Sequence, residues 1–548
     1  MSNLKYNPII HNLDEIASLS PRVINPGINS DETETVDMLV ETIRRYAAAH
    51  IKPLEIDHDS TIPEIVLKKA AELGLFGLTV NSTYGGAGLS LKATCRAIEE
   101  LAFFDSSTAT TIGLHAGLGL RGLNYLAPEQ LQKAYLPQLA RGDVLAAFAA
   151  TEPEAGSHIA NIKTKAIGSD ARRELVINGS KIYVTNGSLA GVFTILAATP
   201  DLAGNKKGHS VILVPRDTPG LTVGEKEHKL GMRGSSTTSL FFDNVTVSYD
   251  NIIGTPGLGM EHLADILIWG RILMSAGCLG SARYAFSRAC EYATVRNQFN
   301  APIGTFGMIQ SKIASMRKSI YTMEALIRST TQNFEEGKDI TFESTVTKVA
   351  CSEGVWNIAD EALQIHGGSG FIEETGIARV LRDSRITRIF EGTNEVLRYH
   401  TALQAFSWNR DDLMKAGFGP GLHESLSARD GELLSAKADF DEILSHIKKT
   451  YGFSVMRNQF VLYMLANAAI SLNSMISVLI YTNGILLSPA SESVKTYCMK
   501  LCASIIADHA GAISFIRQKM QSGKPLNLHD ETIANYEYER VLGKPLAM

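Results

Sequence analysis

A single acidic residue at a chain reversal is the first candidate for chemistry in this sequence. Glu391 follows the run LRDSRITRIF, which begins at residue 381 and has arginine at every third position before two apolar residues. Gly392 allows a sharp bend, and Thr393 can cap the helix that NEVLRYHTALQ predicts. Partial burial raises the pKa of a carboxylate and makes it a better base near neutral pH. Glu391 is therefore a candidate general base; alternatively, it only stabilises the start of the next helix through the dipole.

A second candidate site is the loop FAATEPEAGSHIA, residues 148–160. Thr151 and Ser157 offer hydroxyl groups, Pro153 and Gly156 shape the turn, and backbone N–H groups are available. Such a loop suits a planar polar heterocycle with carbonyl and imide edges, although an ordinary turn between domains explains it equally well.

An aromatic residue and a hydroxyl group stand two positions apart in KIYVTNG, residues 181–187. On a strand this spacing places Tyr183 and Thr185 on one face, as stacking on a ring combined with a hydrogen bond to it requires. Packing of the two side chains in a core is the alternative interpretation.

The glycine-rich sequence HGGSGF, residues 366–371, directly follows a predicted helix. Its bare backbone could approach a pyrophosphate, or it is only the helix C-cap. No GxGxxG stands in a βαβ pattern, so a Rossmann cofactor site is not indicated. The sequence also has no HExxH, P-loop or GxSxG motif.

Composition excludes several classes of function. The chain has 548 residues, of which 45% are apolar and 20% charged, as is typical of a soluble globular protein. Its length predicts about three or four domains. A net charge of −5 without a basic run argues against a nucleic-acid partner. The six cysteines form no CxxC pair, so we expect reduced thiols and no metal site.

The N-terminus has neither a basic segment followed by an apolar run nor an arginine-rich, acid-poor composition, so we expect a cytoplasmic protein without a targeting signal. Residues 458–491 contain no charge, which raises the question of a membrane helix. Asn467, Ser471, Ser474 and Ser477 recur there at helical spacing, so a buried amphipathic helix explains the run better.

Hydrophobic spacing divides the chain into the elements that must position these residues. Residues 32–126 predict helices, one of them weakened by Gly113, Gly117, Gly119 and Gly122. These glycines indicate either close packing of the helix against its neighbours or a cavity that the absent side chains leave open.

The pattern then changes to strands between residues 147 and 250, where Asn178-Gly179 predicts a hairpin. Long helical patterns with short connections from residue 259 predict an antiparallel four-helix bundle. The predicted fold class is α+β multidomain and mainly α. Its parts are an N-terminal helical domain (1–146), a middle β-sheet domain (147–257), a four-helix bundle that carries Glu391 (258–407) and an extra C-terminal helical domain (408–548).

Six motifs together resemble the acyl-CoA dehydrogenase family, in order and at its spacing. They are TEPEAGS, KIYVTNG, GMRGSSTTSLFFDNVTV, YATVRNQFNAPIGTFGMIQSKIASM, DEALQIHGGSGF and LRDSRITRIFEGTNEVLR, and the resemblance covers about residues 40–405. It implies a helical domain, a middle β domain and a C-terminal four-helix bundle, the order that periodicity predicts.

Three features resemble the very-long-chain branch of this family. A helical extension follows residue 408, and FGMIQ has Gly307 where the medium-chain type usually has Gln. Gly119 and Gly122 match glycines that deepen the acyl tunnel of that branch. The resemblance therefore implies an active site for long acyl chains.

The resemblance also implies residue roles. Glu391 matches the base that removes the α-proton of an acyl-CoA thioester while the β-hydrogen leaves as hydride to FAD. Some relatives carry the base at the position of Gly270, where a glycine cannot serve. Residues that would contact the flavin are Phe148, Ala150, Thr151, Ser157, Tyr183, Thr185, Thr393 and Glu395. Residues that would reach the FAD of a partner subunit are Arg296, Phe299, Gln364, Gly367 and Gly368. Substrate-side residues would be Ser157, Arg271 and Gly392.

The implied function is that of a flavoprotein oxidoreductase of fatty acid β-oxidation, within lipid metabolism. It would convert long-chain acyl-CoA to trans-2-enoyl-CoA and pass electrons to an electron-transfer flavoprotein. We expect a homodimer or a dimer of dimers, with the C-terminal extension as a candidate for peripheral membrane contact. The alternatives are an acyl-CoA oxidase or, from another class, an assembly or scaffold protein on the same fold.

Overall fold

Helices form the first part of the computed structural model, which describes residues 30–169, 173–200, 202, 208–409 and 421–521. Ser90 begins α4 by accepting a hydrogen bond from the Ala93 N–H at 3.1 Å, and Asp105 begins α5 by accepting one from Thr108 at 2.7 Å. The buried segment His115–Gly119 is π-helical and continues α5 into α6. The helices are α1 (Ser30–His50), α2 (Pro53–Asp59), α3 (Glu64–Glu72), α4 (Leu91–Phe104), α5 (Ser106–Leu114), α6 (Leu120–Tyr125) and α7 (Glu129–Arg141).

A sheet of eight strands follows, as the β-rich pattern predicts. The strands are β1 (Leu145–Ala149), β2 (Lys165–Ser169), β3 (Glu174–Thr185), β4 (Ala190–Ala198), β5 (His209–Pro215), β6 (Leu221–Val223), β7 (Thr237–Ser248) and β8 (Ile252–Ile253). Their order is β6-β7-β3-β2-β4-β5-β8, and β1 pairs in parallel with β4. Apolar residues of β4 and β5 alternate between two cores, of which one also contains residues from α6, α7 and a later helix, α8.

The predicted hairpin at Asn178-Gly179 is wrong. The chain continues as one strand, β3, and its register against β7 shifts between Ile177 and Gly179. Gly179 has φ +146°, and a Cβ there would lie 2.5 Å from Thr164 Oγ1. The glycine therefore permits a bulge and a close approach of β3 to the chain before β2, instead of a turn.

Three long helices come next and pack on one another. They are α8 (Gly259–Val295), α9 (Gly307–Glu335) and α10 (Thr341–His366), and a two-stranded ribbon of β9 (Asn297–Gln298) and β10 (Ala301–Pro302) separates the first two. The short helix α11 (Ile377–Ser384) leads to the 3₁₀ segment Arg385–Arg388. The predicted fourth helix is α12 (Asn394–Ser407), and it begins where the first compact unit ends.

The second compact unit begins at Glu395. It contains α13 (Ser427–Tyr451), α14 (Gln459–Leu487) and α15 (Glu492–Gln521), which pack on one another through buried apolar side chains such as Phe440, Leu472 and Ile505. The predicted order of helical, β and helical parts is confirmed, whereas the predicted boundary at residue 408 stays a prediction.

Three of these helices, α8, α14 and α15, are long and apolar enough to cross a membrane by length and composition. Their most apolar stretches are 61%, 67% and 28% buried within the protein. The uncharged run predicted as a buried amphipathic helix is α14, the most buried of the three. Contact of the C-terminal extension with a membrane stays a prediction.

Candidate active site

An elongated apolar cavity lies among α4, α5 and α8. About 610 Å³ of empty space lies in it, including its open mouth. Along α8 the lining runs from Gly270 to Ser281, and a rise of about 1.5 Å per residue gives a length of roughly 16 Å between them. Other residues of the lining include Ile98, Ala102, Ala109, Gly113, Leu114, Leu118, Met232, Leu273, Gly277, Val355 and Phe390. Such a space fits a narrow, flexible hydrocarbon chain.

Glu391 lines the same cavity. It follows the 3₁₀ segment Arg385–Arg388, and it has φ +55°, a left-handed conformation that is unusual for a residue with a side chain. Its Oε2 atom is buried without a hydrogen-bond partner in the described part of the chain. A buried carboxylate oxygen that aims into an apolar cavity and is left unpaired is available for proton transfer.

Burial and two nearby cations shift the pKa of the Glu391 carboxylate in opposite directions. Burial raises its pKa to about 7, while the cations of Arg271 and Lys348 oppose the increase. Both cations bond to the backbone of the turn: Arg271 Nε donates to the Glu391 carbonyl at 3.2 Å, and Lys348 Nζ donates to the Gly392 carbonyl at 2.8 Å. The carboxylate thus has two cations nearby but, among the residues that the structure describes, no salt bridge that would block it.

Sequence analysis did not predict the group of hydrogen-bonded polar residues that supports this turn. Lys348 Nζ also donates to Asn394 Oδ1 at 2.9 Å, and Asn394 Nδ2 donates to Ser352 Oγ at 3.0 Å and to Glu353 Oε1 at 3.2 Å. The only signal was a lysine within the apolar helical stretch VTKVAC. A lysine there must be buried, and a buried ammonium group requires partners.

The predicted flavin-side residues lie at the end of β1 and on β3. Phe148, Ala150 and Thr151 are half-buried, and the Thr151 carbonyl accepts a hydrogen bond from the Ile182 N–H at 3.0 Å. Tyr183 is 65% exposed and Thr185 is half-buried, with Val184 buried between them. Tyr183 has φ +57° and lies at a register shift of β3, so Tyr183 and Thr185 flank a bulge and not a regular strand, and their sharing of one face stays a prediction.

A buried ion pair supports this loop, and sequence reasoning missed it too. Lys181 Nζ donates to Glu152 Oε1 at 2.7 Å and to the Ala150 carbonyl at 3.0 Å. The Glu152 carboxylate also accepts the N–H groups of Lys163 at 2.5 Å and Thr164 at 3.1 Å. Both charged side chains are almost fully buried, and the ion pair therefore stabilises the backbone conformation of the loop that contains Thr151.

The residues predicted to reach a partner subunit all lie on the surface, and none lines the cavity. Phe299 is 91% exposed, and Gly367 has φ +58° with no neighbouring atom within 4 Å of a Cβ position. An exposed phenyl ring and a bare backbone suit a surface that another chain covers. The full set is Arg296, Phe299, Gln364, Gly367 and Gly368.

Gly119 and Gly122, which were predicted to deepen the acyl tunnel, pack closely against other residues. A Cβ at Gly119 would lie 2.9 Å from the Cβ of Ala146, and one at Gly122 would lie 3.2 Å from Ile253 and from Ile266. Neither glycine lines the cavity, and close packing explains both; their role in an acyl tunnel stays a prediction. Gly113, in the same segment, does line it.

The other predicted site residues are scattered. Arg271 and Gly392 belong to the Glu391 turn, Thr393 is half-buried beside them, and Ser157 and Glu395 are exposed. All six cysteines are buried and unpaired. Among the described residues, no group of three His, Cys, Asp or Glu side chains could hold a metal ion.

Comparison with known proteins identifies the family. Profiles of the N-terminal, middle and C-terminal domains of acyl-CoA dehydrogenases match residues 33–143, 147–245 and 257–405. This chain belongs to the acyl-CoA dehydrogenase family.

Individual relatives of this acyl-CoA dehydrogenase family member extend the match. The mitochondrial very long-chain specific acyl-CoA dehydrogenase of Macaca fascicularis is 35% identical over 490 residues, which cover 82% of this chain and 75% of the relative. The crystal structure of an acyl-CoA dehydrogenase complexed with FAD from Bacillus anthracis has a TM-score of 0.81 at 28% identity and covers 96% of this chain and 94% of its own. Butyryl-CoA dehydrogenase of Megasphaera elsdenii has a TM-score of 0.65 at 31% identity, over 69% of this chain and 98% of its own. The match to the Bacillus anthracis structure therefore also includes the C-terminal extension of this chain.

Proposed function

We propose that this chain is an FAD-dependent dehydrogenase that converts long-chain acyl-CoA to trans-2-enoyl-CoA and passes the electrons to an electron-transfer flavoprotein. One observation carries the proposal: the unpaired carboxylate of Glu391, with its pKa raised to about 7, lines an apolar cavity of roughly 16 Å. A base with a pKa near the working pH combines a large ionised fraction with a strong tendency to accept the proton.

The residues present fit a flavin. The hydroxyl groups of Thr151, Ser157 and Thr185 make no hydrogen bond within the described chain and remain available to the polar edge of an isoalloxazine. Tyr183 presents an exposed ring at the bulge of β3, two residues before Thr185. A planar ligand with carbonyl and imide edges would use an aromatic surface and hydroxyl groups in this way. The relative from Bacillus anthracis is described as complexed with FAD, which supports the same cofactor here.

The roles of this chain's own residues follow from the site. The Glu391 carboxylate takes the α-proton, and Arg271 holds the backbone of the turn that directs it. The N–H of Glu391 makes no hydrogen bond within the described chain, so it can donate to the thioester oxygen as enolate character develops. Removal of such a donor in comparable sites costs about 3–4 kcal/mol of transition-state stabilisation. Bound FAD would supply the acceptor for the β-hydrogen, which leaves as hydride so that the α,β double bond forms.

The cavity supports a long acyl group. A lipid bilayer has a hydrocarbon core of about 30 Å, so one long acyl tail extends over about 15 Å, close to the length of this cavity. The very long-chain specific dehydrogenase of Macaca fascicularis agrees with this assignment. A short acyl group such as butyryl would leave most of the cavity to water.

Partners and location belong to the proposal as well. The exposed set around Phe299 and Gly367 supports a homodimer or a dimer of dimers in which these residues approach the partner's cofactor. The relative from Macaca fascicularis is described as mitochondrial. A cytoplasmic location stays a prediction for this chain, and we propose the C-terminal extension as the segment for peripheral membrane contact.

Anaerobic mixing of the purified yellow holoenzyme with palmitoyl-CoA tests the proposal. We expect rapid bleaching of the flavin in the wild type and no bleaching in Glu391→Gln, although this variant still binds FAD and acyl-CoA. Glu64→Gln, which removes an exposed acid from α3, should bleach like the wild type. Normal bleaching by Glu391→Gln would remove the assignment. Rapid peroxide release in air would identify an acyl-CoA oxidase, and a colourless protein would favour the scaffold alternative.

A further inference from the structure

Lys348 is a fully buried lysine that the reaction described above does not use directly. It lies inside α10, and its side chain has no exposed surface. Its ammonium group donates to the Gly392 carbonyl at 2.8 Å and to Asn394 Oδ1 at 2.9 Å. Both acceptors are neutral, and they flank the turn that carries the base. A lysine buried with neutral acceptors is costly, so a role beyond packing is expected of it.

The turn that receives these hydrogen bonds is conformationally strained. Glu391 has φ +55° and Gly392 has φ +98°, so two successive residues are left-handed and only one of them is a glycine. Such a backbone persists only where its surroundings hold it. Arg271 Nε fixes the Glu391 carbonyl at 3.2 Å, and Lys348 fixes the next carbonyl. The two bonds determine where the Glu391 side chain points.

The charge of Lys348 also acts on the base. The charged groups that face Glu391 are Arg271 from α8 and Lys348 from α10. Lys348 in turn faces Glu391, Cys278 and Arg271, with Glu353 further along its own helix. Burial raises the pKa of Cys278 to about 12, so this thiol is neutral at physiological pH. Each cation favours the ionised carboxylate, and neither bonds to its oxygens.

We propose that Lys348 is a positioning residue for the base: it holds the left-handed turn through the Gly392 carbonyl, and its charge keeps the Glu391 carboxylate ionised at neutral pH. The inference rests on the proposed function, because it assigns Lys348 a role in the proton transfer that Glu391 performs. Its consequence is that loss of the charge moves the working range of the enzyme toward alkaline pH.

The experiment measures anaerobic flavin bleaching by palmitoyl-CoA from pH 5.5 to 9.5 in the holoenzyme and in Lys348→Met. We expect the pH midpoint of the bleaching rate to rise by about one unit or more in the variant, which from a midpoint near 7 is at least about a fivefold loss of rate at pH 7. The rate should partly recover at high pH. The visible flavin spectrum and acyl-CoA binding serve as measures of an intact site. If Lys348→Met does not yield holoenzyme, Lys348→Gln removes the same charge and keeps a hydrogen-bond donor.

Two further variants make the outcome unambiguous. Lys92→Met removes another buried lysine, whose ammonium has no hydrogen-bond partner in the described chain and which does not face Glu391, so its pH profile should match the wild type. An unchanged profile and rate in both Lys348 variants would overturn the inference while leaving the proposed function intact. Normal turnover by Glu391→Gln in the same assay would instead show that the proposed function itself is wrong.

Discussion

Gly270 on α8 provides the space that the Glu391 carboxylate occupies. A Cβ at residue 270 would lie 2.7 Å from Glu391 Oε2 and 2.4 Å from Leu118 Cδ2, closer than real Cβ atoms approach such neighbours. The missing side chain therefore leaves room for the Glu391 carboxylate on the facing segment. Residue 270 of this chain is a glycine and residue 391 is an acid, and the space that the glycine leaves is filled by the carboxylate of the acid.

Gly270→Ala should slow the reaction more than it destabilises the protein. The new methyl group must displace the carboxylate or the Leu118 side chain, and such overpacking costs about 1–3 kcal/mol, partly offset by about 1 kcal/mol of helix propensity. We expect flavin bleaching by palmitoyl-CoA to slow at least about tenfold, since small misplacements of a reacting group are expensive. Gly511→Ala, in the interior of α15 with open space around it, is the matched control and should bleach at the wild-type rate.

Gly277→Leu should convert the enzyme to one for short acyl chains. A Cβ at residue 277 would have only Ile98 and Ala102 nearby, at 3.9 and 4.0 Å, so a larger side chain grows into the cavity two helical turns beyond Gly270. We expect kcat/KM for palmitoyl-CoA to fall at least about tenfold, because changes of a few methylene groups in a pocket have effects of that size. The same variant assayed with butyryl-CoA should lose little. An equal loss with both substrates would show that the distal cavity does not hold the acyl chain.

Sequence patterns predicted the elements and singled out Glu391, but they did not predict the contacts around its carboxylate. Periodicity located the helical, β and helical parts, since apolar spacing reports which face of an element is buried. The acid at a glycine-rich reversal was visible in sequence. Lys348, Ser352 and Asn394 were not, because they come from two helices far apart in the chain and their meeting is a tertiary property.

Glycines were the least reliable signal. Gly119 and Gly122 allow close packing on Ala146, Ile253 and Ile266, whereas the cavity is opened by Gly113, Gly270 and Gly277. Gly179 lies at a bulge of β3, although the dipeptide Asn178-Gly179 predicted a hairpin there. A missing side chain permits several different close approaches, and only the neighbours in space decide which one occurs.

His115 should make the stability of the protein pH-dependent. The Ala146 N–H donates to its Nδ1 at 2.9 Å, so the ring is neutral and its Nε2–H donates to the Leu139 carbonyl at 3.2 Å. Burial lowers the pKa of His115 to about 4, below the value of about 6.5 in an unfolded chain. The unfolded state therefore binds the proton first, and stability present above pH 6.5 is lost as the pH falls toward 4, by about 2 kcal/mol at pH 5.

Thermal unfolding at pH 7 and pH 5 measures this effect. His115→Gln can keep both hydrogen bonds without titrating, so its midpoint should fall less between the two pH values than that of the wild type. Equal decreases in the two proteins would show that other groups govern the acid sensitivity.

Lys181→Met should be strongly destabilising and should weaken cofactor binding. The substitution leaves the buried Glu152 carboxylate with only the N–H groups of Lys163 and Thr164, and loss of one partner of a buried pair costs about 3–5 kcal/mol. The Ala150 carbonyl loses its donor too, so the loop that presents Thr151 should loosen. We expect a lower unfolding midpoint and, on titration with FAD, at least about a tenfold weaker affinity. Adding Glu152→Gln should recover much of the stability because the unpaired charge is removed, and a double variant no more stable than Lys181→Met would show that the buried charge is not the cause.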